Sequence, residues 1–268
     1  MLDSVRPAAV AGMFYPGQAD VLRRDVEAFL AHAKPAELRC PKALLVPHAG
    51  YVYSGAIAAA AYKALQPWHA VITRVILLGP SHRQPLHGLA LPSATAFATP
   101  LGSVPIDLAA RAIVHALPQV SIDDRAHAFE HSLEVQVPFL QAVLDQFSLL
   151  PFAVGQLGPE AVAEVLELLW GGPETLIVVS SDLSHYLPYQ TACSVDASTC
   201  DEILAGESDI APDRACGAFP LNGLLLAARR HQLRPALLDL RNSGDTAGDK
   251  SRVVGYSAMA FYTAEQHA

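Results

Sequence analysis

The chain has 268 residues, about half of them apolar, 16% charged, and a formal net charge of −8. That acidic balance, with no run of five or more basic residues, argues against nucleic acid, whose phosphates attract clustered Lys and Arg. The opening MLDSVRPAAVAGMFYPG lacks a basic stretch followed by an apolar one, so no secretory leader is expected. The longest apolar run, residues 56–65, is too short to span a bilayer, so the positive mean hydropathy reports core and not membrane. Cys40, Cys193, Cys200 and Cys216 form no CxxC pair, which fits a reducing cytoplasm.

Residues 20–33 carry Val21, Leu22, Val26, Phe29 and Leu30 at helical spacing, with Asp20 as the expected N-cap. Residues 43–46 (ALLV) read as a buried strand, and 54–65 as an Ala-rich helix capped by Ser54. A second buried strand covers 74–78 (RVILL), stopped by Gly79-Pro80. Residues 88–107 are rich in Pro, Thr and Gly and read as hairpins. Helices are expected at 108–117, 132–145, 159–169 and 221–231, and strands at 148–154, 175–179, 234–240 and 253–261. Cys193 and Cys200 fall two turns apart on one helix, as two buried thiols and not a disulfide. Apolar strands separated by helices imply a sheet covered on both faces. The expected fold is α/β: a three-layer α/β/α sandwich around a mixed central sheet, one domain over 1–268.

The polar clusters follow the predicted strands, where open α/β sheets gather their ligands. They are Pro47-His48-Ala-Gly-Tyr51, Gly79-Pro-Ser-His82 and Ser180-Ser-Asp182-Leu-Ser-His185. If those strands are neighbours, three imidazoles meet at one rim, pointing to a metal, a general base, or both. Glu130 and Glu134 are spaced i, i+4 and would share a helix face, with His131 one residue round. The loop Asn242 to Arg252 holds Asp245, which could add a carboxylate to two histidines, the facial arrangement of non-haem Fe(II) oxygenases. Other chemistries lack their signatures. There is no GxSxG, P-loop or GxGxxG, HSLE lacks the second histidine of HExxH, and Asp182 and His185 are too close in sequence for a hydrolase triad.

The segments RPAAVAGMFYPG, PHAGYVYSG, LLGPSH, FEHSLEVQVPFL, VVSSDLSHY and NSGD…SRVVGYSAMAF, in order from Arg6 to Phe261, resemble the MEMO family. That family includes the B component of a gene grouping with AMMECR-type and radical-SAM proteins, and is similar in fold to the class III extradiol dioxygenases. The resemblance implies His48 and His82 as metal ligands and His185 as the acid/base beside the metal. Animal members place a cysteine in the loop before the last strand and ring-cleaving enzymes use Glu. That loop has no cysteine here, so Asp245 is the expected third ligand, with Asp249 its competitor.

Carboxylate in place of thiolate favours Fe(II), with Mn(II), Cu or Zn as the other candidates. Glu130, His131, Tyr51 and Asp182 are expected to support the metal ligands or contact substrate. Tyr51, Tyr53, Phe129 and Tyr186 flank the histidine motifs, where they could stack on an aromatic ring. The expected function is an Fe(II)- and O2-using oxygenase acting on a small molecule, with aromatic compounds among the candidates. The alternatives are a metal or redox protein with no organic substrate, or an inactive module that binds peptides. A homodimer, and a functional link to the AMMECR-type and radical-SAM proteins, are further expectations.

Overall fold

The computed structural model describes residues 4–34 and 39–264; Met1 to Asp3 of the opening segment lie outside them. In chain order the strands are β1 (Val5–Arg6), β2 (Ala43–Val46), β3 (Arg74–Pro80), β4 (Leu89–Leu91), β5 (Ala96–Thr99), β6 (Gly102–Pro105), β7 (Val120–Ile122), β8 (Ser148–Val154), β9 (Thr175–Ser180), β10 (His185–Leu187), β11 (Leu233–Asn242) and β12 (Val253–Thr263). The helices are α1 (Ala19–His32), α2 (Tyr51–Lys63), α3 (Leu108–Val114), α4 (Arg125–Ala128), α5 (Val137–Val143), α6 (Pro159–Leu169), α7 (Tyr189–Ala205) and α8 (Ala218–Arg230).

Among the described residues, nine strands form one mixed sheet in the order β10-β12-β2-β9-β3-β8-β4-β7, with β11 on the outer edge of β12. At its centre β2, β9, β3 and β8 run parallel. β2 (ALLV) and β9 (TLIVVS) are buried at every position, as strands covered on both faces must be. Helices α1, α2 and α5 pack together, as do α6 and α8; α2 lies against β2 and β12, and α8 against β3 and β9. This is the expected three-layer α/β/α sandwich. No helix of the described residues is long and apolar enough to cross a membrane.

Several local expectations are corrected. The α1 cap is Gln18, and Asp20 sits inside the first turn. Helix α2 begins at Tyr51, three residues early, because the otherwise orphaned Tyr51 N–H donates to Phe14 O at 2.8 Å. Ser54 is interior, its hydroxyl donating back to Ala49 O at 2.9 Å. Gly79-Pro80 does not stop β3. Pairing with β9 ends at Leu78, so the proline's missing donor falls on a side with no ladder to break, while pairing with β8 runs on to Pro80. Within 88–107 only β5 and β6 make a hairpin; β4 joins the main sheet. The predicted helix over 132–145 is a 3-10 turn at Glu134–Gln136 followed by α5, so Glu130 and Glu134 share no helix face.

Candidate metal centre

The order β2-β9-β3 puts the ends of three adjacent parallel strands side by side. His48 follows β2, His82 follows β3, and Asp182 with His185 follow β9, so all four arrive at one edge. The antiparallel β12 begins at that same edge, since Leu45 pairs with Met259 and Ala43 with Phe261. A fourth segment, residues 130–132, closes against the end of β3. Gly79 makes that approach possible, because a Cβ there would fall 2.7 Å from Ser132 Oγ.

His48, His82 and His131 each turn a ligand-capable nitrogen toward one point, all within 4.8 Å of one another. The rings of His82 and His131 stack with centroids 4.7 Å apart, and His48 stands edge-on to both at 5.1 and 5.4 Å.

Hydrogen bonds behind the rings settle which nitrogen is free. Ser180 Oγ donates its only proton to Ser132 O at 2.6 Å and accepts from Gln136 Nε2 at 2.8 Å. Its 2.9 Å contact with His48 Nδ1 must therefore be donated by the imidazole. Glu130 Oε1 accepts from His82 Nδ1 at 3.0 Å, and the carbonyl of Leu183 accepts from His185 Nδ1 at 2.8 Å. In all three rings Nδ1 carries the proton and Nε2 keeps its lone pair. A histidine oriented by a carboxylate or other acceptor behind it is the usual form of a metal ligand.

Electrostatics favour the same state. Burial, then the neighbouring imidazoles, hold His48 well below its ordinary pKa. Burial also lowers His131 to about 4, and lowers His185. Neutral rings are the form that ligates. Burial pushes the Glu130 carboxyl up, but its bonds with His82 and with the backbone N–H groups of Ser132 and His82 outweigh that and bring it down to about 2. Its two oxygens accept from His82 N at 2.6 Å and from His131 N and Ser132 N at 2.9 Å each. His131 Nδ1 is buried with no hydrogen-bond partner; it lies 3.3 Å from Glu130 Oε1 but out of line with it. An unsatisfied buried nitrogen beside two rings whose Nε2 atoms carry no proton fits a site built for a cation.

Asp182 is buried, its Oδ1 accepting from His48 N at 2.7 Å and its Oδ2 standing 4.0 Å from His48 Nε2. Burial raises its pKa to about 7. Cys216, at the turn before α8, places Sγ 3.2 Å from His48 Nε2 and accepts from Asp182 N at 3.3 Å. Burial lifts its thiol to about 12, so it stays protonated.

The structure departs from the expected ligand set at Asp245. Its Oδ2 accepts from Asn242 N at 3.0 Å in a capping box, and its Oδ1 accepts from Tyr189 OH at 2.6 Å. One oxygen is committed to the loop's own cap and the other to Tyr189 of α7, and His131 completes the histidine cluster instead. Asp249 lines the cavity above the site, with Oδ1 accepting from Ser251 N at 2.5 Å. Tyr51 also lies apart from the site: it is buried against Phe29 and Phe139, and its hydroxyl donates to Val135 O at 2.7 Å. Tyr53 and Tyr186 line the cavity. Phe129 is exposed and does not. Sequence reasoning missed Cys216 because nothing local marks it; it stands 168 residues from the histidine it touches.

Fold and site together define a class: a doubly covered α/β sheet with a histidine cluster at the carboxyl ends of its central parallel strands. The model of the Memo-like protein family matches residues 6–260, and the chain belongs to that family. A MEMO1 family protein of Aquifex aeolicus is 36% identical, over 96% of this chain and 99% of its own length. One from Sulfurisphaera tokodaii is 33% identical, over 96% and 99%. A crystal structure of an uncharacterized protein from Escherichia coli K12 matches with a TM-score of 0.51 at 15% identity, over 81% of this chain and 99% of that one, a likeness of fold alone.

Proposed function

We propose that this chain is a non-haem Fe(II) protein that uses O2 on an organic substrate, through a site resembling that of the class III extradiol dioxygenases. The observation that carries the reading is the convergence of His48, His82 and His131 within 4.8 Å, beside a cavity that reaches Asp182 and His185. When bound, the ion supplies Lewis acidity and a redox centre with open positions. The three imidazoles would hold it, and Ser180 and Glu130 hold two of those imidazoles in place. His185, with Nδ1–H tied to Leu183 O and Nε2 bare, takes a proton from a substrate hydroxyl and returns it later. Asp182, with Oδ1 accepting from His48 N, holds the segment that carries His48 in place.

The test is anaerobic reconstitution with Fe(II), metal analysis, and nitric oxide addition followed by EPR. Stoichiometric iron with a half-integer-spin iron–nitrosyl signal is expected, and uptake no greater than in His48→Ala would overturn the reading. Three imidazoles suit Fe, Cu and Zn alike, so metal competition belongs in the same experiment. One observation favours a second reading, a metal or redox protein without an organic substrate: the Cys216 sulfur 3.2 Å from His48 Nε2 is a soft group of the kind copper prefers. Copper retention that depends on Cys216 would favour it. The free Cys40, Cys193, Cys200 and Cys216 support a reducing, cytoplasmic location, and the family resemblance supports a functional link to AMMECR-type and radical-SAM proteins.

A further inference from the structure

The cavity beside His131 and His185 has a volume of about 660 Å³, and its lining includes Met13, Tyr53, Tyr186 and Arg252. Three of these are large apolar groups left open to water: Met13 is 72% exposed, Tyr186 62% and Tyr53 39%. Apolar side chains gathered and exposed at one opening mark a place where something apolar docks.

The backbone spends conformational energy to hold one of them there. Tyr186 has φ +60°, the left-handed region that residues with a Cβ rarely enter, and it directly follows His185. Tyr186 lines the cavity, its ring centroid 5.8 Å from that of His185, the histidine expected to move the proton.

Arg252 is the only Lys or Arg among the residues lining this cavity. Its guanidinium lies 5.1 Å from the centroid of the Tyr186 ring, and no carboxylate among the described residues pairs with it. Other arginines of the chain are committed: Arg6 to Glu134, Arg74 to Asp107, Arg241 to Asp239. The lining also holds two carboxylates. Asp182 is buried and accepts from His48 N, and Asp249 accepts from Ser251 N. Neither meets Arg252. A planar fork of N–H donors stacked on a tyrosine presents its edge to a carboxylate.

We propose that this cavity takes an aromatic ring bearing a carboxylate, with Arg252 anchoring the anion and Tyr186 and Tyr53 walling the ring. The proposal rests on the reading that the metal centre below acts on an organic substrate. It adds the substrate's charge and the residue that selects it.

The test is calorimetric titration in two states of the full chain, with Arg252→Ala and Arg252→Lys alongside the natural sequence. The anaerobic Fe(II)-loaded protein is titrated with 3,4-dihydroxybenzoate and with catechol. The metal-free protein is titrated with 4-hydroxybenzoate and with phenol. In both states the acid should bind at least tenfold tighter than its uncharged partner. Arg252→Ala should abolish that preference and leave catechol and phenol binding unchanged, while Arg252→Lys keeps part of it. An unchanged melting curve shows that the variants are folded.

Equal binding of acid and uncharged ring, or a preference that survives in Arg252→Ala, would overturn the proposal. So would failure of either acid to bind at millimolar concentration, or tighter binding of a phosphotyrosine peptide than of either acid. Failure of Fe(II) to load, with the 4-hydroxybenzoate preference intact, sinks the metal reading and leaves the anion site standing. Iron loading without any carboxylate preference does the reverse.

Discussion

Ser180 Oγ stands 2.9 Å from His48 Nδ1, and its single proton is already given to Ser132 O. The hydroxyl can only accept from the imidazole, and that fixes the tautomer with Nε2 unprotonated, the atom that stands 3.2 Å from Cys216 Sγ. Ser180→Ala should lower metal affinity by about 10–100-fold, as loss of a group orienting a metal-ligating histidine typically does. Competition against a chelator measures it. Unchanged affinity would show that the serine only fills space.

Asp245 and His131 make opposite predictions for metal content. His131→Ala should lose stoichiometric binding. Asp245→Asn should keep it, because both Asp245 oxygens serve Asn242 N and Tyr189 OH. Metal analysis of the two variants side by side decides between them, and loss of metal in Asp245→Asn would return that carboxylate to the ligand set.

Glu134 anchors the amino-terminal segment. Buried itself, it pairs with Arg6, accepts from Ala9 N at 2.8 Å and Val10 N at 2.9 Å, and accepts from the Tyr15 hydroxyl at 2.5 Å. That hook carries Phe14, whose ring lies 4.5 Å from that of His131. Glu134→Ala leaves the Arg6 charge buried and unpaired, which should cost about 3–5 kcal/mol of stability. Urea denaturation measures it, and a loss under 1 kcal/mol would mean that the network is not an anchor.

His127 sets an acid limit on stability. Burial lowers its pKa from 6.5 to about 4, while the bond from Nε2–H to Ala90 O at 2.8 Å works the other way. Between those values the unfolded chain binds a proton that the folded chain refuses, so stability is full above about pH 6.5 and falls as pH drops toward 4. The loss approaches about 3 kcal/mol below pH 4. His127→Gln should flatten that part of the stability-versus-pH curve; an unchanged slope would show that other groups carry it.

Much of the fold was legible from local pattern. The runs ALLV, RVILL and TLIVV are too uniformly apolar for anything but doubly covered strands, and the structure buries β2 and β9 at every position. The histidines His48, His82 and His185 were legible for the same reason, since each stands just past the end of such a strand. Helix starts were less so. Tyr51 begins α2 only because Phe14, 37 residues earlier, offers a carbonyl to its N–H.

What the sequence by itself determined was the layer architecture, the family, and the edge of the sheet where the chemistry collects. These follow from periodicity and from the order of short motifs along the chain, both local properties. Tertiary structure alone decided which histidines come together. A carboxylate seven residues before Arg252 and a histidine beside Glu130 look equally able to reach the centre when only spacing is known. Whether each does so depends on its hydrogen-bond partners: Asp245 is held by Asn242 and Tyr189, while Glu130 turns back to support His82 and leaves His131 facing in. Cys216 meets His48 for a similar reason, because the turn before α8 packs against the end of β9, a contact between segments that no local pattern encodes.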